Sequence, residues 1–270
     1  MIARGTDDQS GAFGEALSVQ WRVIHALLMR EVQTRYGRNN IGFLWIFAEP
    51  ILFTVLVLGM WSLLGRGNDH HNIGLVPFLV SGYMPFLMWR HSVSRSIHCL
   101  RFNIGLLYHR QVKLLDVVIA RMLLEIAGTV VSFAFVWALF TFFGVLEYPV
   151  DYWLLYAGWL YFGWFCFASG LLMASMSEMW SIVERLYTPF TYMAYPLGGA
   201  FYMINWLPDS AQRYASLNPM SQGFEMIRGG VLGPGIHPHY DMSYMFFVCL
   251  IMTGWGLLLI KHARNYVEFE

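Results

Sequence analysis

Residues 17–64 read LSVQWRVIHALLMREVQTRYGRNNIGFLWIFAEPILFTVLVLGMWSLL and contain two different kinds of helix. In the first part, apolar side chains recur every three or four residues, as in an amphipathic helix that lies in a membrane interface. The second part, 43–64, can cross a bilayer, because about 20 residues rising 1.5 Å each span a core of ~30 Å. The chain is therefore expected to lie along the membrane over residues 17–36, turn and cross it. The predicted apolar stripe consists of Leu17, Trp21, Ile24, Leu28 and Val32.

The composition of the 270-residue chain excludes a soluble domain. The chain is 57% hydrophobic and 13% charged, whereas soluble domains carry about 25% charged residues. The three cysteines lie in or beside apolar runs, so free thiols are expected rather than a disulfide framework. Residues 1–16 have no cleavable signal pattern and are expected to form a flexible cytoplasmic tail. The class that fits is an integral membrane protein.

Six apolar runs predict an all-α integral membrane protein with six transmembrane helices. Lys and Arg concentrate before the first run, after the second and after the sixth, so the positive-inside rule places both termini in the cytoplasm. The second run is apolar only as far as Trp89, and its inner end carries Arg90 and Arg95. The predicted domain covers 43–264, with spans at 43–64, 75–97, 117–143, 152–176, 182–204 and 242–260, a cytoplasmic segment at 103–113 and a periplasmic loop at 205–239.

Polar and aromatic side chains follow one face of the second span and one face of the fifth. A helix that faces lipid would not carry a stripe of hydroxyl groups along its length. Two interpretations stay open, namely hydrogen bonding between helices and the wall of a transport path. Tyrosine suits a sugar, because its ring stacks on the C–H face of a pyranose and its hydroxyl binds the sugar hydroxyls. The candidate path residues are Tyr83, Arg90, Ser94, Tyr187, Thr191, Tyr195 and Tyr202.

Charged residues inside the apolar runs need a partner or water, because a charge at bilayer depth costs at least ~3 kcal/mol. Pro50 leaves a backbone carbonyl free and kinks the first span. Glu49 is either a carboxylate near the interface that pairs with an arginine or, with Trp45 and Pro50, a hinge and gate beside a conduit. Arg121 and Glu125 lie four residues apart in the third span, which predicts a structural ion pair.

A short helix is predicted in the loop before the last span and is expected to pack back into the outer leaflet. Asn218 and Pro219 fit its N-cap and first position, and Gly229 with the next glycine fits its end. Glu225 and Arg228 lie three residues apart on it. This periplasmic helix is either purely structural or caps the outer mouth of a path.

The sequence contains no standard metal-binding or catalytic motif. The histidines at 70, 71, 237 and 239 lie in loops and match no standard metal spacing, so no metal is expected. The chain also lacks a Gly-x-x-x-x-Gly-Lys-Ser/Thr phosphate loop, so active transport would need energy from a partner. A membrane enzyme acting on lipid-linked sugars stays an alternative, with Glu49, Glu125 and Glu184 as its available acids.

Four segments, in their order and spacing, resemble the membrane subunit of type-2 ABC exporters, in the branch that exports capsular polysaccharide from Gram-negative bacteria. The segments are Arg30-Glu31-Val32 to Arg35-Tyr36, Gly42-Phe-Leu-Trp45 with Pro50, NIGLLYHRQVKLLDVVIAR at 103–121, and Leu217-Asn218-Pro219 with Glu225 and Arg228.

The resemblance implies a permease subunit rather than an enzyme. It implies a homodimer in the bacterial inner membrane, in contact with membrane lipids and docked on two copies of a separate ABC ATPase that binds ATP and Mg. No cofactor in this chain and no nucleic-acid partner are expected. The coupling residues that it implies at the ATPase are Arg30, Arg35, Asn103, Tyr108, Arg110 and Lys113.

The implied substrate is a lipid-linked polysaccharide that passes between two subunits. Periplasmic co-polymerase and outer-membrane export proteins would carry it onward. Export of O-antigen, teichoic-type polysaccharide or a small molecule by the same family stays an alternative.

Overall fold

A computed structural model of the protein describes residues 7–36, 41–63, 69–70, 73–103, 105 and 112–267. The regular secondary structure within these ranges is helical, apart from a short antiparallel ladder between β1 (Asp69–His70) and β2 (Ile73–Gly74). The helices are α1 (Asp7–Tyr36), α2 (Ile41–Leu63), α3 (Leu75–Ile97), α4 (Leu114–Phe142), α5 (Tyr152–Met179), α6 (Ile182–Leu197), α7 (Asp209–Ala215), α8 (Pro219–Leu232) and α9 (Met242–Val267). Single 3₁₀ turns lie at Arg101–Asn103, Ile204–Trp206 and Pro234–Ile236.

Helix α5 lies at the centre of the molecule and packs against α3, α8 and α9. Its side chains Phe162 and Leu171 are fully buried in the core. Small residues on α5 allow close approach: a Cβ atom at Gly170 would lie 2.5 Å from the sulfur of Met122, and one at Gly158 would lie 3.0 Å from the side chain of Ile227. Because helices in membranes associate through such small residues, α5 fixes the positions of its neighbours.

Three helices are long and apolar enough to cross a membrane, namely α4, α5 and the Met242–Arg264 part of α9. Their 29, 28 and 23 residues exceed the roughly 20 that a bilayer core requires. Helix α3 coincides with the predicted second run, but it carries Arg90 and Arg95. Helix α6 has only 16 residues. The protein is therefore a helical membrane protein with three clear candidate spans among its described residues, and the count of six spans stays a prediction.

Helix α6 ends at Leu197, short of the predicted limit of the fifth span at residue 204. Pro196 lies in its last turn, and Gly199 has a φ of +92°, in the left-handed region that favours glycine. The chain then passes through the Ile204–Trp206 turn and α7 to reach α8. Helix α7 was not predicted, and Tyr202 lies in the irregular segment between α6 and the Ile204–Trp206 turn instead of on the face of α6.

Helix α8 is buried over almost its whole length. It ends at Leu232, beyond the end predicted at Gly229, and the backbone turns at Gly233, where φ is +81°. The glycines inside the helix serve close packing instead of termination. A Cβ atom at Gly230 would lie 2.5 Å from the backbone nitrogen of Leu155 on α5.

We expect Gly230→Ala to lower the free energy of unfolding by about 1–3 kcal/mol, because the added methyl group overlaps a backbone that cannot move aside. Gly254→Ala on α9 is the matched control, since a Cβ atom there meets nothing within 4 Å and alanine favours a helix. Thermal denaturation of the purified proteins, followed by size-exclusion chromatography, measures the difference. Equal melting temperatures for the two variants would contradict this packing.

Candidate functional site

A cleft of about 510 Å³ opens between α2, α3 and α6. Its wall combines aromatic rings, hydroxyl groups and the side chains of Arg90 and His91. Phe53 of α2 forms one side, and α3 and α6 supply the rest. This volume lies in the range of roughly 300–1,000 Å³ that is typical of ligand sites in proteins.

Helix α3 presents Tyr83, Phe86, Arg90 and Ser94 to the cleft. Their spacing of three or four residues places them on one helical face. The opposite side of α3 packs into the core, where Met88 is fully buried. The cleft-facing stripe is therefore distinct from the Met88 side of α3, although Phe86 within it is buried and also belongs to the core.

Helix α6 presents Tyr187, Thr191 and Tyr195, at four-residue steps. It runs antiparallel to α3, because the Tyr187 hydroxyl donates to the backbone carbonyl of Arg90 at 2.9 Å, while the Tyr195 ring centroid lies 4.2 Å from that of Phe86. The hydroxyl face of α6 thus turns towards α3. Large apolar side chains remain exposed elsewhere on α6, namely Leu186, Phe190, Met193 and Leu197.

The cleft is aromatic at one end and polar at the other. At the aromatic end, the rings of Phe53 and Tyr83 stack with centroids 3.7 Å apart, and Tyr195 meets Tyr83 edge-on at 6.4 Å. Arg90 and Ser94 lie at the other end. Aromatic faces bind the apolar face of a sugar ring, whereas hydroxyl groups and a cation bind polar substituents. The cleft can therefore hold an amphiphilic ligand rich in hydroxyl groups.

Six of the seven candidate path residues line this cleft, and Tyr202 is the exception. The Tyr202 hydroxyl donates to the carbonyl of Leu197 at 2.9 Å. Sequence reasoning placed Tyr202 on the same face as Tyr195, but the helix ends between them. It also missed Phe86 and Phe53, although Phe86 lies three residues after Tyr83 on the same helical face.

Glu49 reaches the polar end of the cleft from α2, where its Oε1 atom lies 3.6 Å from Nη2 of Arg90. Pro50 is buried, and its carbonyl accepts a hydrogen bond from the Thr54 hydroxyl at 2.8 Å. Trp45 is 59% exposed. Glu49 therefore pairs with an arginine, as the first interpretation proposed, and its position beside the cleft keeps the gate interpretation open.

The ion pair predicted within α4 is wrong. Arg121 contacts Glu31 of α1 at 2.6 Å, and Glu125 contacts Arg95 of α3 at 3.2 Å. An arginine placed four residues before a glutamate is the less favourable order on a helix, and partners on neighbouring helices compete with it. The two pairs link α4 to α1 and to α3.

The three acids considered for a membrane enzyme each pair with an arginine. Besides Glu49 and Glu125, Glu184 contacts Arg101 at 2.9 Å, and Arg101 also lies 3.5 Å from Glu178 of α5. Arg101 therefore joins the ends of α3, α5 and α6, a role that the sequence pattern did not indicate. Among the described residues, no group of three or more His, Cys, Asp or Glu side chains is placed to hold a metal ion.

Two residues predicted for coupling, Arg30 and Asn103, are brought together although they are far apart in the sequence. Arg30 Nη2 donates to Asn103 Oδ1 at 2.8 Å. Asn103 is buried and donates in turn to the carbonyl of Cys99 at 2.7 Å. Lys113 is exposed immediately before α4. Tyr108, Arg110 and the side chain of Arg35 lie outside the described residues.

Arg228 of α8 is fully buried and binds the turn that follows α6. Its guanidinium donates to the carbonyls of Gly199, Ala200 and Tyr202 at 2.8, 2.5 and 2.7 Å. The ring of Phe78 lies against it, with the centroid 4.1 Å away. Burial lowers the pKa of Arg228 to about 10, so this side chain still carries its charge at neutral pH.

Glu225, one turn earlier on α8, accepts hydrogen bonds from the backbone N–H groups of Ile204 at 2.9 Å and His239 at 3.0 Å. Burial raises the pKa of the Glu225 carboxyl, and these bonds and the Arg228 charge oppose that shift. Asn218 caps α8 as the sequence predicts, accepting from the N–H group two residues later. The polar residues of α8 thus tie two loops to one buried helix.

The chain is similar to known proteins along almost its whole length. A protein-family model described as "ABC-2 type transporter" matches residues 22–232. The capsule polysaccharide export inner-membrane protein CtrC of Neisseria meningitidis is 37% identical over 257 residues, which cover 95% of this chain and 97% of that protein. A capsule polysaccharide export inner-membrane protein BexB of Haemophilus influenzae is 34% identical over 95% of this chain and 96% of that protein's length. The polysialic acid transport protein KpsM of Escherichia coli is 24% identical over 90% of this chain and 94% of its own.

Proposed function

The chain belongs to the family of ABC-2 type transporter membrane proteins, and from this premise we propose that it is the membrane subunit of an ATP-driven exporter of capsular polysaccharide. The observation that carries the proposal is the near full-length similarity to inner-membrane proteins named for capsule polysaccharide export. The cleft between α2, α3 and α6 supports it, because the cleft presents tyrosine rings and hydroxyl groups to a ligand.

The cleft residues would bind the glycan in two ways. Tyr83 and Tyr195 offer ring faces and edges for a pyranose, and a buried aromatic contact contributes roughly 0.5–1.5 kcal/mol beyond its area. Thr188 and Ser94 are exposed hydroxyl residues at the polar end and would exchange hydrogen bonds with water for bonds with sugar. Weak, repeated contacts of this kind let a polymer slide, whereas one tight site would hold it.

The assembly would be a homodimer of six-span subunits in the bacterial inner membrane, with both termini in the cytoplasm. Apolar side chains of α2 and α6 are exposed, and either lipid or the second copy would cover them, among them Leu52, Leu56, Leu186 and Met193. On α1, Leu17 and Trp21 are 60% and 65% exposed, which suits a helix lying in the membrane interface. The polysaccharide would pass between the two copies towards periplasmic and outer-membrane export proteins.

Two copies of an ABC ATPase would supply the energy, with ATP and Mg bound on that partner. The Arg30–Asn103 contact supports a coupling route, because it joins α1 to the segment that follows α3. The Glu31–Arg121 pair joins the same helix to α4. Movement of the 103–113 segment by the ATPase would therefore shift α1 and α3 together, and with α3 one wall of the cleft.

Deletion and complementation test this function. A strain lacking the gene is expected to lose surface polysaccharide and to retain it inside the cell, and the parent chain is expected to restore the surface signal. Antibody labelling of intact and permeabilised cells separates the two pools. Unchanged surface polysaccharide in the deletion strain would refute the proposal. If the deletion instead removes another surface glycan and the parent chain restores that glycan, the function is O-antigen or teichoic-type export.

A second candidate function is export of a small molecule by the same fold. The cleft volume of about 510 Å³ favours it, because drug-sized ligands occupy sites of roughly this size. This function predicts that deletion changes susceptibility to amphiphilic compounds and leaves surface polysaccharide intact. Growth inhibition assays on the deletion strain distinguish the two functions.

A further inference from the structure

Arg90 places a positive charge inside the cleft, on a helix that is predicted to span the membrane, where charges are costly. It lies on α3 about 10 Å before the helix end at Ile97, by the rise of 1.5 Å per residue, and its side chain is 41% exposed. Arg228, in contrast, is fully buried and uses its donors on three backbone carbonyls. Across the described part of the chain, the guanidinium of Arg90 has no such hydrogen bonds, and its charged contact is Glu49. Intramembrane charges of this kind mark ligand pathways.

The contact between Glu49 and Arg90 is loose. At 3.6 Å the two atoms are farther apart than in a hydrogen bond, whereas the Glu31–Arg121 pair is closed at 2.6 Å. Both side chains of the loose pair are partly exposed, at 26% and 41%. The five N–H donors of a guanidinium form a planar fork that fits two oxygens of one phosphate or carboxylate. An incoming anion can therefore bind Arg90 more closely than Glu49 does.

We propose that Arg90 binds a phosphate or carboxylate group of the exported glycolipid, and that this group displaces Glu49. The inference rests on the proposed export function and adds to it the charge of the ligand and the residue that recognises it. The described residues that line the cleft include no carboxylate, so the anion meets no repulsion once Glu49 has moved. The stacked rings of Phe53 and Tyr83 at the opposite end then receive the less polar part of the molecule.

Displacement of Glu49 also has a structural consequence. Glu49 directly precedes Pro50 in α2, and its pairing with Arg90 connects α2 to α3 at the polar end of the cleft. Binding of an anion replaces this connection and leaves α2 joined to α3 by the Phe53–Tyr83 stack at the aromatic end of the cleft. Binding of an anionic ligand thus changes the contacts of α2, the helix that carries the predicted hinge.

Titration of the full-length chain in phosphatidylcholine nanodiscs tests the inference. The probe is dodecyl phosphate, with dodecyl maltoside as the uncharged amphiphile, and calorimetry gives the affinity. Arg90→Gln is expected to weaken dodecyl phosphate binding by about tenfold, because a charge-assisted bidentate contact is lost. Glu49→Gln is expected to strengthen it severalfold, because the internal competitor is removed. Neither change should alter binding of dodecyl maltoside.

The two substitutions are expected to change the affinity for dodecyl phosphate in opposite directions. If the ion pair were only structural, breaking it from either side would weaken binding in both variants. Arg90→Lys keeps the positive charge but lacks the planar fork of donors, so its affinity for dodecyl phosphate should lie between those of the parent and Arg90→Gln. Arg213→Gln is the control, because Arg213 is exposed on α7 and lies outside the cleft lining. The same titration with inorganic phosphate and with a hyaluronan tetrasaccharide shows which anionic group the site binds. If Arg90→Gln weakens binding of only one of these two probes, the site is assigned to a phosphate or to a sugar carboxylate accordingly.

Equal affinities of the parent and Arg90→Gln for every anion would overturn the inference, as would weaker binding by Glu49→Gln. Either result leaves the export proposal intact if the parent chain restores surface polysaccharide in the deletion strain. Failure of that restoration removes the export function independently of these affinities.

Discussion

Arg228→Leu is expected to prevent accumulation of the folded protein. The substitution leaves the carbonyls of Gly199, Ala200 and Tyr202 without the three hydrogen bonds that the guanidinium donates. It also leaves Glu225 buried without the nearby positive charge that favours its ionised form. Removing one member of such a buried polar set costs about 3–5 kcal/mol, a large fraction of the stability of most proteins.

The measurement is the yield and melting temperature of detergent-purified protein. Arg213→Leu is the matched control, because the same chemical change on the exposed face of α7 removes no buried contact. The yield and melting temperature of Arg228→Lys are expected to lie between those of Arg228→Leu and Arg213→Leu, since one ammonium group keeps the charge but cannot reproduce the planar fork. A monodisperse Arg228→Leu protein with the melting temperature of the parent would contradict the role assigned to this arginine.

Local signals predicted much of the helical structure. The run at 75–97 coincides with α3, and the N-cap at Asn218 is in place, because apolar periodicity and capping depend on neighbours only a few residues away. The end of α8 was missed for a physical reason. Glycine is both a helix terminator and a contact residue, and only the approach of Leu155 to Gly230 shows which role applies.

Partners across helices could not be predicted in the same way. The pairs Glu31–Arg121, Arg95–Glu125 and Arg101–Glu184 join residues on different elements, so no spacing in the sequence encodes them. The two polar stripes of the cleft wall could be recognised in the sequence, because each repeats at the spacing of a single helix. Their role as a transport path stays a prediction. Phe53 belongs to a third helix, and only packing of α2 against α3 brings it to Tyr83.

If the glycan passes through this cleft, Ser94→Trp is expected to reduce surface polysaccharide to the level of the deletion strain. Ser94 lines the polar end and is exposed, so an indole there has room to adopt a relaxed rotamer and to fill the space beside Arg90. Because Ser94 is exposed and its substitution removes only a hydrogen bond with Tyr187, the amount of protein in the membrane and its melting temperature should stay close to those of the parent. Loss of transport with an intact fold is the combination that a blocked path predicts.

Two further variants separate blockage from other effects of this substitution. Ser94→Ala removes the hydroxyl without adding bulk and should retain most export, since a single hydrogen bond contributes only about 0.5–1.5 kcal/mol. Ser210→Trp adds the same indole to the exposed surface of α7 and should leave export unchanged. Antibody labelling of intact cells, with immunoblots of the membrane fraction, measures both quantities. Surface polysaccharide at the parental level in Ser94→Trp cells would mean that the polymer takes another route, and the tyrosines of α6 would then serve contacts between helices.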